Sequence, residues 1–164
     1  MIYYYFGSKE KLDVATLKRS YENIRATEQN VDVASLDPVS VVRQLVELIF
    51  DRREGSPTFS LLLSHENEQK AQLVTAASGV SGVGRPIIKM WEQVLERGRA
   101  DGVFHRDIDA LDLHMLVSSF CFFRSNNHYS FKADFGFDLV QKDRRPMYRR
   151  MIGDVVVEYL TSSP

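Results

Sequence analysis

At 164 residues and 44% hydrophobic content, the chain can bury one good core and is too short for several domains. No apolar run approaches the roughly 18 residues needed to span a bilayer, and the start lacks the basic-then-apolar layout of a signal peptide, which points to a cytoplasmic protein without membrane contact. A net charge of −1 argues against a general nucleic-acid binder, and the single cysteine, Cys121, excludes a disulfide framework or a cysteine metal cluster.

The first dozen residues, Met1-Ile2-Tyr3-Tyr4-Tyr5-Phe6-Gly7-Ser8-Lys9-Glu10-Lys11-Leu12, combine an aromatic run, a breaker and a helix start. Gly7 supplies a left-handed stop, Ser8 a cap for the next helix, and Glu10 a carboxylate at the positive end of its dipole. Lys9, Lys11, Lys18 and Arg19 stand against Glu10 and Asp13, so residues 1–19 carry a net +2 in an otherwise acidic chain. The stretch Tyr3 to Leu12 resembles the close of the DNA-reading helix in tetracycline-repressor-type (TetR) transcriptional regulators, and the likeness in motif runs from Ile2 to about Leu17.

That resemblance implies an all-α bundle of six or seven helices, with a remnant of a helix-turn-helix domain in residues 1–19 and an effector-binding and dimerisation domain in residues 20–164. It also implies that Tyr3, Tyr4, Tyr5 and Lys9 contact the DNA backbone, while Phe6 packs inward. The two helices and most of the third that precede this motif in the family are missing from the sequence. The expectation is therefore a truncated chain, through a late start codon or a fragment, that does not bind DNA specifically as it stands. The competing reading is a helical ligand carrier or protein-interaction module that does not bind DNA.

From Lys9 to about Asn30, Val14, Leu17, Tyr21 and Ile24 recur at three and four, the spacing of one helix face. Asp37-Pro38 opens the next helix as cap and first helical residue, and Val39, Val42, Leu45, Val46, Ile49 and Phe50 fill more than one of its faces, so it is central. It ends near Gly55. Ser56-Pro57 repeats the device for a shorter helix that fades into polar residues 65–70, with a further turn or two to about Ala77 and a glycine-rich loop over 78–84. Arg85-Pro86 starts a helix with an Ile87, Ile88, Trp91, Val94, Leu95 stripe, which Asp101-Gly102 ends.

Asp109 caps a helix that is apolar nearly all round, Leu111 through Phe123, and one side of it needs a second cover. Residues 126–143 read as loop with one helical turn. Arg145-Pro146 begins the last helix, with Tyr148, Ile152, Val155 and Tyr159 on one face, Val156 and Leu160 beside it, and Gly153 open to close approach by another helix. Two such apolar helices in one small domain point to a paired surface. The family resemblance implies a homodimer built from the last two long helices, with Met115, Phe122, Ile152 and Val156 at the interface.

A small, partly apolar effector is implied by the same resemblance, with Trp91, Phe120, Arg124 and His128 as candidate lining and operator DNA as the partner of a complete chain. Enzyme chemistry finds no support. His65-Glu66-Asn67-Glu68-Gln69 begins like a zinc-protease helix, but glutamine stands where the second histidine is needed. Gly79-Val80-Ser81-Gly82-Val83 lacks the final glycine of a nucleophile elbow, and histidines 65, 105, 114 and 128 are scattered. Neither a metal nor a cofactor is expected.

Overall fold

A computed structural model describes residues 7–8, 11–16, 18–19, 31–72 and 84–163. Within them the chain is all-α, as its periodicity predicts. The main helices are α1 (Pro38–Gly55), α2 (Pro57–Glu68), α3 (Arg85–Ala100), α4 (Ala110–Asn126), α5 (His128–Phe135) and α6 (Arg145–Thr161). Residues 11–16 and 18–19 are helical too, preceded by Gly7 in the left-handed region (φ +75°) and by Ser8, whose Oγ accepts from the Lys11 amide at 3.2 Å.

The central helix is α1. Asp37 caps it by accepting from the Ser40 amide at 2.9 Å, and Pro38 occupies a position whose N–H needs no partner. Val41, Val42, Leu45, Val46, Ile49 and Phe50 are all buried, too many for one stripe, because α3, α4 and α6 pack around it. The cross-links to α6 run Arg43–Asp154, Glu47–Arg149, Asp51–Arg149 and Glu54–Arg145, descending numbers against ascending ones, so the two helices are antiparallel. The approach to α1 is also fixed. Asp32 accepts from the Ala34 and Ser35 amides, and Arg97 of α3 reaches across to the carbonyls of Val33 and, at 2.6 Å, Leu36.

Ser56 does not repeat the Asp37 device. Its side chain makes no capping bond to α2, and Pro57 alone sets that helix start. In α3, Ile87, Trp91, Val94, Leu95 and Gly98 face the core, and Gly102 (φ +69°) ends the helix with the Val103 and Phe104 amides folding back on the Gly98 carbonyl at 2.8 and 2.9 Å. Among the described glycines, Gly98 is the one that requires its lack of a side chain, since the Phe104 ring fills the space a Cβ would take. Gly153, where the sequence predicts a close helix approach, meets only the end of the Arg43 side chain at 3.6 Å, an ordinary contact.

Residues 126–143 are more helical than their pattern predicts, since α5 has two turns ended by Gly136 in the left-handed region (φ +66°). None of its residues is buried, so no core-facing periodicity marks it in the sequence. The expected helix over residues 9–30 lies mostly outside the described residues, as do the extension to Ala77 and most of the 78–84 loop.

Candidate functional site

The described surface has its most apolar face along α4 and α6. Asp109 fixes the start of α4 by accepting from the Leu111 amide at 2.7 Å, which sets Leu113, Val117, Cys121 and Arg124 against the core. The opposite side, with Leu111, Met115, Leu116 and Phe123, stays exposed, Met115 at 61%. On α6 the buried set is Ile152, Gly153, Val156 and Leu160, while Met147, Met151, Val155 and Tyr159 face outward.

A groove of about 780 Å³ runs between these helices, lined mainly by Leu116, Phe120, Phe122, Phe123, Tyr148 and Met151. Arg124, 3% exposed, forms part of its wall. Nη1 of Arg124 bonds Glu54, and the guanidinium lies 4.7 Å from the centre of the Phe50 ring and 5.2 Å from that of Tyr148. Glu54 in turn binds Arg145, which bonds Asp51 at 2.7 Å, and Arg149 bonds Asp51 at 3.0 Å and Glu47 at 2.8 Å. Three carboxylates of α1 thus balance three arginines of α4 and α6.

On the other side of α4 a cavity of about 510 Å³ lies against α3, bounded by Gly84, Arg85, Ile88, Lys89, Glu92, Leu111 and His114. Burial and the charges of Arg52 and Arg53 push His114 down to about 4, so its imidazole is neutral at physiological pH. Burial pushes the Cys121 thiol up to about 12, which makes it an inert core residue rather than a nucleophile.

The structure brings together two of the four residues expected to line a ligand site, Phe120 and Arg124, in the α4–α6 groove. Trp91 is fully buried in the core on α3, and His128 opens α5 with its ring 3.9 Å from that of Tyr129; neither lines the groove. Of the residues expected at a dimer interface, Met115 is exposed and Phe122 half-buried, with Arg53 over its ring. Ile152 and Val156 point into the chain's own core, at 4% and 0% exposure, so Met151 and Val155 occupy the outward positions. Tyr3, Tyr4, Tyr5 and Lys9 lie outside the described residues.

Sequence reasoning missed His114 and Tyr148 as site residues. His114 carries no local motif. Tyr148 was legible only as part of a stripe whose inward and outward halves the sequence merges. Among the described residues no group of three His, Cys, Asp or Glu side chains could hold a metal ion, and no helix is long and apolar enough to cross a membrane.

The profile of the tetracyclin repressor-like C-terminal domain matches residues 38–156, a span that takes in α1 to α5 and most of α6. The chain belongs to the TetR family. It is also 33% identical over 167 residues to the HTH-type transcriptional repressor NicS of Pseudomonas putida, across 98% of this chain and 76% of that protein. TetR proteins are transcriptional regulators and not enzymes.

Proposed function

We infer that the chain is a cytoplasmic, operator-binding TetR regulator, a repressor like its relative, that works as a homodimer and is released from DNA by a small effector. The observation that carries the dimer is the outward apolar face of α4 and α6, where Met115, Phe123, Met151 and Val155 form a surface suited to a symmetric partner. Phe120 and Arg124 line the groove this partner would close, so they belong with the interface. Residues 20–164 would carry the dimer and effector functions, and residues 1–19 would lead to the DNA through Tyr3, Tyr4, Tyr5 and Lys9.

In mechanism, an effector lodged among the helices would change the separation of two DNA-reading helices in the dimer and so weaken operator binding. The test is an electrophoretic shift on the promoter DNA beside the gene, with the 164-residue chain and with a version carrying the in-frame codons upstream of Met1. Specific binding by either version, reduced by Tyr4→Ala, Tyr5→Ala and Lys9→Ala together, is the expected result. If neither version binds specifically, or if the triple substitution costs nothing, the operator-binding reading fails and the helical carrier or interaction module takes its place.

A further inference from the structure

We propose that Arg97 is a positioning residue for operator binding: it fixes the direction in which the chain leaves α1 toward residues 1–19, and so sets the separation of the two DNA-reading helices in the dimer. This rests on the reading of the chain as a dimeric, operator-binding regulator and names the residue that sets its operator spacing.

The joint in question is residues 31–36. Val31, Val33 and Leu36 are partly buried against the core. Among the described residues, most hydrogen bonds of this segment are local. The Asp32 carboxylate accepts from the Ala34 and Ser35 amides, and the Val33 amide donates to the Val31 carbonyl at 3.1 Å. Arg97 is the exception, reaching the segment from 64 and 61 residues away. Its Nη1 donates to the Val33 carbonyl and its Nη2 to the Leu36 carbonyl at 2.6 Å. A groove of about 490 Å³ stays open between the segment and α3, lined in part by Ala34, Gln93 and Ala100. Apolar packing is incomplete there, and the guanidinium spans what packing leaves. A planar fork on two carbonyls fixes an orientation, whereas a lysine ammonium would hold a single point.

Orientation matters here because distance multiplies it. The helix that the sequence predicts over residues 9–30 would be about 30 Å long, so a turn of about 10° at the joint would move its far end by about 5 Å. That exceeds the rise of one base pair, about 3.4 Å, and half-site spacing is read by geometry.

The experiment compares Arg97→Met and Arg97→Lys with the unsubstituted protein, using whichever version, the 164-residue chain or the upstream-extended one, binds in the electrophoretic shift. Each is titrated against the operator and against the same operator with one base pair added between its half-sites. The unsubstituted protein should prefer the native spacing by about tenfold, and Arg97→Met by less than about threefold, because an unfixed joint accepts both. A second measurement needs no DNA. Spin labels at Arg19→Cys and Lys89→Cys, in protomers diluted with unlabelled protein, report the distance from the amino-terminal helical segment to α3. Cys121, buried and with its thiol pushed up to about 12, stays unlabelled. The distance distribution should be narrow with Arg97, broad with Arg97→Met and intermediate with Arg97→Lys, while the melting temperature changes by no more than about 5 °C.

An unchanged distribution in Arg97→Met, or an equal loss of affinity on both operators with the spacing preference intact, would overturn the proposal and leave Arg97 a structural tie. If neither version binds any operator, the operator reading falls and the spacing role falls with it. A broadened distribution would then still uphold Arg97 as the residue that fixes the joint, and an unchanged one would remove that as well.

Discussion

Phe104 lies with its ring against the Cα of Gly98, and the same glycine accepts the Phe104 amide on its carbonyl at 2.9 Å. The loop leaving α3 is thereby folded back on the helix it has just left. In an exposed helix interior Gly→Ala gains about 1 kcal/mol, so propensity alone predicts a more stable protein. Here the added methyl would overlap buried aromatic atoms, and overpacking of that kind costs about 1–3 kcal/mol or more. Gly98→Ala should therefore lower stability in urea denaturation, and Gly98→Ala with Phe104→Leu should recover part of the loss. A stabilised single variant would disprove the contact.

The Glu54–Arg124 pair offers a second prediction. Arg124 is buried and Glu54 nearly so, and removing one partner of a buried pair strands the other charge at a cost of about 3–5 kcal/mol. Glu54→Leu, which strands buried Arg124, should destabilise on that scale; Arg124→Met leaves Glu54 paired with Arg145 and should cost less, and the double variant should cost less than the sum of the two. Strict additivity would mean that the pair carries no coupling.

Stability should also depend on His114. Its folded-state pKa of about 4 lies below the ordinary 6.5, so between those values the unfolded chain binds more protons than the folded one. Stability is then fully present above about pH 6.5 and is lost as pH falls toward 4. Solvent at the partly exposed ring screens some of the effect, leaving roughly 1–2 kcal/mol. Melting temperature followed from pH 7 to 4.5 should fall, and His114→Leu should flatten the part of the slope above the carboxylate range. An unchanged slope would show that His114 titrates normally.

A fourth prediction separates the interface from the core on one helix. Met151→Asp and Val155→Asp place a charge on the outward face of α6 and should give folded monomers at micromolar concentration in sedimentation equilibrium. Val156→Asp buries an unpaired carboxylate and should unfold the chain instead. Dimers that survive both outward substitutions would move the partner surface elsewhere.

The helix starts at Asp37-Pro38, Asp109 and Arg145-Pro146, and the stop at Asp101-Gly102, were legible because the capping chemistry lies within a few residues of the backbone it serves. What the sequence could not reveal depends on distant partners. Glu54 and Arg124 are 70 residues apart, and no local pattern marks either as half of a pair. On α6 the apolar residues surround much of the helix, so periodicity left open which half faces α1; the Arg145 and Arg149 pairs with Asp51 settle it, turning Val156 inward and Val155 outward. Around α3 and α4, His114 became a site residue only when Arg52, Arg53 and the Lys89 side of α3 were brought near it.

The antiparallel pairing of α1 with α6 also imposes an order in time. Asp51 and Arg149 are 98 residues apart, so a ribosome adding about 5–20 residues per second finishes α1 roughly 5–20 s before the last helix that covers it exists. During that interval Val42, Ile49 and Phe50 lack part of their final cover, and the carboxylates of Glu47 and Asp51 keep that flank of α1 hydrated rather than sticky. The arginines that arrive with α6 then close the bundle by charge as well as by packing. The stripe of opposite charges thus serves the growing polypeptide as a guard before it serves the finished protein as a clasp.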